Sequence, residues 1–206
     1  MAGALRLVIN PRHPEPRKIA MAAKIIDDGG VALYPTDTVY ALGCAIEARR
    51  AIERIYRLRQ IDAGHSLALI CADVREASRY GLVTDFAYRQ MRRILPGPYT
   101  VVLEATREVP KVLLDKRRTV GIRVPESPIS LALVAALGRP LLTTSAIPPG
   151  SDAPCLDVDD GLEAFPGGLD LCIDGDLTVG QVSTVVSLIG DQIEILRVGL
   201  GADALE

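Results

Sequence analysis

DDGGVALYPTDTVYALG, residues 27–43, is the stretch of sequence that decides the fold. Its paired glycines end a helix over 17–28, which is predicted from apolar residues at the spacing of one helix face. VALY (31–34) then predicts a short strand that ends at Pro35 and leaves PTDT in the loop at the strand's carboxyl end. Open α/β sheets bind their ligands at that end. The stretch therefore predicts a helix and a strand that present a polar loop to a ligand.

Helical and strand patterns follow each other through the rest of the chain. Further helices are predicted over 48–57, 73–80, 84–94 and 128–137, and further strands over 66–71, 99–105, 119–124, 140–146, 183–189 and 193–198. The segment 147–170 is rich in Pro, Gly and Asp and predicts a long loop with one helical turn. Strand-helix-strand units mixed with adjacent strands indicate an α/β or α+β sheet with helices packed on it.

The composition is that of a globular protein with its own core. Of the 206 residues, 49% are hydrophobic and 24% are charged, and a chain of this length buries roughly 70% of its unfolded surface. Aromatic residues make up only 4%, which leaves few platforms for stacking single-stranded bases. No apolar run reaches the length of about 18 residues that spans a bilayer, and the start lacks a secretory signal. We therefore expect a cytoplasmic protein with no membrane partner.

Several common kinds of site are missing from the sequence. Neither a G-x-x-x-x-G-K-[ST] phosphate loop nor a G-x-G-x-x-G fingerprint is present, so a nucleotide would need another arrangement. The cysteines and the two histidines are scattered and lack metal-ligand spacing. We expect each cysteine to be a small buried hydrophobe: Cys44, Cys71, Cys155 and Cys172.

The net charge of -3 conceals two parts of opposite sign. Residues 1–149 contain 22 Lys and Arg against 14 Asp and Glu, whereas residues 150–206 contain Arg197 against 12 acidic residues. The two parts therefore carry about +8 and about −11. A basic surface in the first part would attract phosphates. The alternative is that folding intermixes the two parts and evens the charge out.

Four segments carry hydroxyl groups or arginines beside apolar runs: YPTDTVYALG (34–43), RLRQIDAGHSL (57–67), TTSA (143–146), and STVV with ILRVG (183–186 and 195–199). Arginine pairs with phosphate or carboxylate through two parallel hydrogen bonds and keeps its charge. The combination predicts a pocket for a phosphorylated or carboxylated small molecule. Taken singly, such hydroxyls are also typical of turns and caps, and RLR is typical of a solvated helix end.

These segments, together with PGPYT (96–100) and GIRVP (121–125), resemble the YrdC/Sua5/YciO family in type and in order. The family pattern contains Y-P-T-[ED]-T-x-Y-x-L-G, K-x-R, P-G-P-x-T, G-x-R-x-P, S-A-N, and S-T-V-V followed by L-R-x-G. The resemblance covers nearly the whole chain. It implies a twisted, open, mixed sheet with flanking helices, a single YrdC-like domain over 1–206 and a concave basic groove. Because the sequence ends at residue 206, we expect no room for the additional C-terminal domain of longer Sua5 proteins.

Members of the YrdC and Sua5 type make threonylcarbamoyl-adenylate from L-threonine, bicarbonate and ATP for the t6A modification of tRNA. The resemblance therefore implies a nucleotidyltransferase that uses these three substrates, with Mg²⁺ accompanying ATP. It further implies double-stranded RNA or tRNA as a partner of the groove. No protein nucleophile is expected, because the carboxylate of N-carboxy-threonine itself attacks the α-phosphorus of ATP.

The resemblance assigns roles to individual residues of this chain. Arg59 occupies the position of the motif lysine that touches the triphosphate, and Arg123 would face the substrate carboxylate. The residues that would bind the amino-acid substrate are Thr36, His65, Arg123, Thr143 and Ser183. Those that would bind the nucleotide are Arg59, Ser145 and Arg197.

The chain departs from the family pattern at two polar positions. Ile61 stands for the arginine of K-x-R, unless Arg57 substitutes for it, and Ile147 stands for the asparagine of S-A-N. Both changes, and RLRQI followed by a histidine, resemble the YciO subgroup. Three functions therefore stay open: a synthase or a relative with altered efficiency or substrate, a double-stranded RNA-binding protein that has lost the reaction, and a protein that binds a nucleotide as a regulatory ligand.

Overall fold

The computed structural model describes residues 3–62, 67–114 and 117–205, which form ten strands and six α-helices. The strands are β1 Leu5–Val8, β2 Ala32–Pro35, β3 Tyr40–Ala45, β4 Ala68–Ile70, β5 Tyr99–Glu104, β6 Thr119–Arg123, β7 Leu141–Ser145, β8 Leu171–Asp174, β9 Thr184–Ser187 and β10 Glu194–Arg197. The helices are α1 Pro16–Asp27, α2 Arg49–Arg59, α3 Val74–Tyr80, α4 Asp85–Ile94, α5 Pro128–Leu137 and α6 Val158–Ala164. None of these helices combines the length and the apolar character needed to cross a bilayer.

All ten strands belong to one sheet, in the order β1-β8-β2-β3-β7-β4-β6-β5-β9-β10. β2 and β3 form an antiparallel hairpin, whereas β4 pairs with β6, and β5 with β9, in parallel. The sheet is therefore mixed and open, with β1 at one edge and β10 at the other.

Side-chain caps determine where four of the helices begin. In each case an oxygen of the residue before the helix accepts a hydrogen bond from the backbone N–H three residues later, which satisfies one free donor of the first turn. The pairs are Asp73 with Glu76 (2.7 Å), Thr84 with Ala87 (3.2 Å), Ser127 with Ser130 (3.3 Å) and Asp157 with Asp160 (2.8 Å). α1 begins instead with Pro16, whose missing N–H is no loss in a first turn.

The helices cover the two faces of the sheet unequally. α2, α3, α4 and α6 contribute to the larger core on one face, where Ile52 and Met91 join strand residues such as Ile122. α1 and α5 pack on the opposite face, where Ile26 and Leu133 join residues of β2, β3, β7 and β8. The described helices leave β6, β5, β9 and β10 uncovered on this second face. An open half-face is the consequence, and the candidate site lies on it.

The predicted α/β sheet with packed helices is confirmed, and every helix and strand that was predicted has a counterpart within a few residues. Three strands were missed. β3 was missed because YALGCA is buried along its whole length and shows no alternation of polar and apolar residues. β1 and β8 are only four residues long.

The segment 147–170 was predicted as a loop with one helical turn, but it contains α6, a helix of seven residues. Gly161 lies inside this helix and lowers the helical propensity of the segment. A Cβ atom at this position would lie 2.3 Å from Leu33 Cδ2. The close packing of α6 on β2 therefore requires Gly161, and the same glycine makes the helix difficult to predict from the sequence.

The four cysteines are free and buried, as predicted. Burial raises the pKa of the Cys155 thiol to about 11, and that of Cys172 to about 11 as well, because a thiolate would lose its hydration in the interior. They are packing groups in the neutral form.

Leu142 is fully buried in the central strand β7, whereas Leu82 is 54% exposed. We expect Leu142→Ala to lower the free energy of unfolding by about 2–5 kcal/mol, because it leaves a cavity in the core. The same substitution at Leu82 should change it by about 0.5 kcal/mol or less. Urea unfolding of both variants measures the difference, and equal losses would contradict the proposed core.

Candidate functional site

A cavity of about 510 Å³ opens on the uncovered half of the sheet, within the size range of small-molecule sites. Six neighbouring strands contribute to its floor, and the pairing register aligns one residue from each strand in a single row. This floor row consists of Thr143, Ala68, Gly121, Val102, Ser187 and Glu194. All six residues line the cavity.

Small residues at the centre of the floor row make the cavity deep. A Cβ atom on Gly121 would lie 3.2 Å from Thr100 Cγ2 and 3.4 Å from Ala68 Cβ. Because any larger side chain here would displace these neighbours, the depth of the cavity depends on glycine and alanine in adjacent strands.

Polar side chains lie on both sides of the floor row. One group lies toward the carboxyl end of β6 and consists of Arg123, Thr100 and Arg197. Thr100 lies opposite Arg123 in the β5–β6 register. Thr100 and Arg197 both pair with Val185. Thr119, at the start of β6, and Ser145, at the end of β7, lie on the other side. The cavity therefore has two polar ends, both of which belong to its lining.

Arg123 is held by the turn between β2 and β3. Its Nη2 donates to Asp37 Oδ1 at 2.6 Å, and both side chains are less than 10% exposed. Asp37 Oδ2 accepts a second hydrogen bond, from the backbone N–H of Glu126 at 3.0 Å. Burial raises the pKa of Asp37 above its ordinary value, although the Arg123 charge opposes the rise. The turn thus fixes the position of a buried arginine at the wall of the cavity.

Thr36 and Thr38 complete this turn through a chain of hydrogen bonds. Arg123 Nη2 also donates to Thr38 Oγ1 at 3.1 Å, and Thr38 Oγ1 lies 3.0 Å from Thr36 Oγ1. The Thr36 hydroxyl donates to the Val39 carbonyl at 2.7 Å, so Thr38 is the donor to Thr36. Thr36 Oγ1 accepts from the backbone N–H of Thr38 as well. The Thr36 hydroxyl is therefore engaged within the turn.

The opposite wall is built by β9 and β10. Arg197 donates from Nε and Nη2 to the Ser183 carbonyl, at 3.2 and 2.8 Å, and from Nη2 to Ser183 Oγ at 3.2 Å. Ser183 Oγ lies 2.9 Å from Thr100 Oγ1. Partial burial lowers the pKa of Arg197, and the charge of Arg123 adds to this effect. Arg197 has no carboxylate partner among the described residues, so its charge faces the cavity uncompensated.

The strand β7 joins the cavity to two residues outside its lining. Thr143 Oγ1 lies 2.6 Å from the hydroxyl of Tyr34, which is fully buried in β2. At the end of β7, Arg59 Nη1 donates to the carbonyl of Ser145 and, at 3.3 Å, to Thr144 Oγ1. Arg59 thus ties the end of α2 to the end of β7, and burial lowers its pKa.

Five of the eight residues with predicted site roles line this one cavity: Arg123, Thr143, Ser145, Ser183 and Arg197. Thr36 and Arg59 do not line it. Thr36 contacts Thr38, which accepts a hydrogen bond from Arg123, and Arg59 donates to the carbonyl of Ser145. His65 lies outside the described residues. Sequence reasoning missed Asp37, Thr100 and Tyr34, although Asp37 lies inside the motif that drew attention to the turn.

The two departures from the family pattern have a structural counterpart. Ile61 follows α2, where its backbone N–H donates to the Tyr56 carbonyl at 3.2 Å, and its side chain packs against the larger core. Ile147 is half-buried just after β7. Both positions therefore carry aliphatic side chains where the family pattern has polar groups.

Cations outnumber carboxylates in the cavity lining. Arg117, Arg123 and Arg197 line it together with one acidic residue, Glu194. Among the residues that the structure describes, no group of three or more His, Cys, Asp and Glu side chains could hold a metal ion. The arrangement is suited to binding oxyanions through arginines and hydroxyl groups.

The fold and the cavity define an α/β protein whose sheet keeps half of one face open as an arginine- and hydroxyl-lined site. The model of the Sua5/yciO/yrdC family, described as "Telomere recombination", matches residues 24–199. The chain belongs to this family, as the sequence motifs predicted.

Relatives in the family differ in how much of their length they share with this chain. YciO of Escherichia coli K12 is 43% identical over 194 residues, which are 94% of each chain. Its crystal structure matches with a TM-score of 0.92 at 42% identity, over 96% of this chain and 97% of that chain. The threonylcarbamoyl-AMP synthase of Vibrio vulnificus YJ016 is 34% identical over 131 residues, 62% of this chain and 70% of that protein.

A crystal structure of Pyrococcus abyssi Sua5 complexed with L-threonine matches with a TM-score of 0.86 at 28% identity. The match covers 95% of this chain but only 58% of that one. This chain therefore shares with Sua5 the part that forms the described sheet.

The hydrogen bond between Tyr34 and Thr143 allows a test of how the cavity wall is supported. Tyr34→Phe would leave the buried Thr143 hydroxyl without this partner, so we expect a loss of about 1–3 kcal/mol in the free energy of unfolding. Tyr88→Phe, at a tyrosine that is 51% exposed, is the matched control and should leave it unchanged. Urea unfolding compares the two, and a neutral Tyr34→Phe would show that the bond does not stabilise the wall.

Proposed function

We propose that the cavity binds ATP together with a carboxylated amino acid, and that the protein is a threonylcarbamoyl-adenylate synthase or a relative that forms the same kind of acyl-adenylate. The observation that carries this proposal is the convergence of Arg123, Thr143, Ser183 and Arg197 on one cavity. Family membership supports it, because relatives bear the name threonylcarbamoyl-AMP synthase and a Sua5 structure is complexed with L-threonine. The product would serve the t6A modification of tRNA.

The proposed reaction needs positioning and charge stabilisation rather than a protein nucleophile. Threonine and bicarbonate first condense with loss of water to N-carboxy-threonine. Its carboxylate oxygen then attacks the α-phosphorus of ATP, the bond from that phosphorus to the bridging oxygen breaks, and pyrophosphate leaves with the electron pair. Mg²⁺ enters as part of the ATP substrate and shares the charge of its phosphates.

The two arginines at the carboxyl end of β6 have different tasks in this proposal. Arg123, fixed by Asp37, would direct a remaining N–H toward the carboxylate of the amino acid. Arg197, whose hydrogen-bond partner among the described residues is Ser183, would direct its charge to the nucleotide phosphates. Placing two anions side by side is the main contribution that a protein can make to such a step.

Ile61 and Ile147 are expected to reduce the rate. Each polar contact to a charged phosphate is worth roughly 1.5–3 kcal/mol. The loss of both therefore lowers the rate by about two orders of magnitude or more, because the transition state is stabilised less. The proposed enzyme is therefore slower than a synthase with the full motif, unless another cation compensates.

Pyrophosphate release from ATP tests the proposal, measured with and without threonine and bicarbonate and combined with mass spectrometry of the adenylate. We expect release that depends on both co-substrates. Arg197→Gln, which removes the charge but can still donate to the Ser183 carbonyl, should lower kcat/KM about tenfold or more.

Arg89→Gln is the matched control, because Arg89 is an exposed residue of α4 on the opposite face of the sheet. It removes the same charge and should leave kcat/KM unchanged. A folded protein that binds ATP without releasing pyrophosphate would favour a regulatory nucleotide over the synthase. Equal activity of Arg197→Gln and the wild type would show that the site residues are wrongly assigned.

Double-stranded RNA binding by the same face is a second candidate. It is supported by the excess of arginines over carboxylates in the cavity lining and by the two lost polar contacts, which weaken the case for efficient catalysis. A binding function of this kind would rest on phosphate contacts and not on base stacking, since the chain is poor in aromatic residues.

A salt titration of the affinity for double-stranded RNA tests the second candidate. We expect the logarithm of the binding constant to fall linearly as the logarithm of the salt concentration rises, because phosphate contacts release counterions. Single-stranded RNA of the same length is the control and should bind more weakly. Affinity that is undetectable at low salt, or that does not change with salt, would contradict RNA binding.

A further inference from the structure

Arg117 lies at the end of the cavity where this chain lacks the motif arginine of the family pattern. It comes two residues before Thr119, the first residue of β6, and it lines the main cavity together with Thr119. It also lines a second cavity of about 430 Å³, which shares Arg117, Thr119 and Ile189 with the first. The two cavities therefore adjoin, and Arg117 stands where they meet.

The position of Arg117 relative to Arg59 follows from the strand register. Ala68 of β4 pairs with Gly121 of β6 and with Thr143 of β7. Because β4 runs parallel to β6 and antiparallel to β7, the start of β6 and the end of β7 lie at the same end of the site. Arg59, in the position of the motif lysine, binds that end of β7 at Ser145. β6 and β7 are two strand spacings apart, about 10 Å, so Arg117 and Arg59 flank the same end of the cavity.

The other cations near this end do not line the main cavity, and Arg118 lines only the second cavity. Arg59 donates to the Ser145 carbonyl and does not belong to the cavity lining. Arg57, in the last turn of α2, is exposed and is not part of the lining either. Ile61 packs on the core. Arg117 is exposed, lines the cavity, and makes no hydrogen bond or ion pair with any residue that the structure describes.

We infer that Arg117 binds the terminal phosphates in this site and compensates for the arginine that Ile61 replaces. Resting on the proposed function, the inference places the β- and γ-phosphates of ATP, and the leaving pyrophosphate, toward the start of β6. The α-phosphate and the amino acid then lie at the other polar end, beside Arg123 and Arg197. The adjoining second cavity gives the polyphosphate room to extend beyond the floor row.

The inference separates ligands that contain a β-phosphate from those that do not. Loss of the Arg117 side chain should weaken the binding of MgATP and of inorganic pyrophosphate about tenfold or more, because each loses a contact with a charged group. The affinity for AMP should stay the same, since AMP has no phosphate that reaches this end. Arg117→Lys keeps the charge but not the two-fold hydrogen bonding, so it should restore part of the affinity.

Isothermal titration calorimetry of the full chain with MgATP, inorganic pyrophosphate and AMP provides the measurement. The variants are Arg117→Ala, Arg117→Lys and a control, Arg75→Ala, which removes an exposed arginine from α3 on the opposite face. A further variant combines Arg117→Ala with Ile61→Arg, which returns a cation to the motif position and should restore MgATP affinity. Thermal unfolding verifies that each variant is folded.

The outcomes distinguish this inference from the proposed function. If the wild type binds MgATP and Arg117→Ala binds it equally well, the inference is wrong and the proposed function stands. If Arg117→Ala weakens AMP as much as MgATP, Arg117 does not act on the terminal phosphates, and the inference is overturned. If the wild type binds neither MgATP nor pyrophosphate, the inference and the proposed function fall together.

Discussion

The buried ion pair between Asp37 and Arg123 is the contact on which the candidate site depends. It joins the β2–β3 turn to the end of β6, although β7 and β4 lie between β3 and β6 in the sheet. Three strand spacings amount to about 14 Å, so the turn has to extend across the open face to reach Arg123. Removing one partner of a buried pair leaves an uncompensated charge, at a cost of about 3–5 kcal/mol. The turn and the strand end therefore hold each other in place, which gives the polar residues of YPTDT a structural role.

The family, the fold class and most elements could be predicted from the sequence because their signals are local. Apolar periodicity and glycine pairs mark a helix such as α1 without knowledge of its neighbours. β3 and α6 could not be predicted in the same way. β3 is buried on both faces, and the glycine in α6 is required by Leu33, a residue of another strand. In both cases tertiary packing determines the residue pattern, and this packing cannot be derived from a single sequence.

The same distinction applies to the site. Motif order was enough to select five residues that line one cavity, because these motifs lie at strand ends that the topology brings together. It could not show that the hydroxyl of Thr36 is engaged in its own turn, or that Arg59 binds the end of β7. Nor could it single out Asp37, since a carboxylate between two threonines has no signature of its own. Which atom a polar group contacts depends on strand register, and register is set by the sheet as a whole.

The positions of the ion pairs show how the opposite charges of the two parts of the chain are compensated in the fold. Arg6 binds Asp159 and Asp174, and Arg54 binds Asp170, so acidic residues of the second part meet arginines of the first part around β8 and α6. β8 lies next to one edge of the sheet, whereas β9 and β10 lie at the other edge. Charge is therefore compensated at the helix-covered end, while the arginines that line the open half-face meet few carboxylates. A net acidic protein can in this way present a locally basic site, because neutralisation follows the contacts in the fold and not the sum over the sequence.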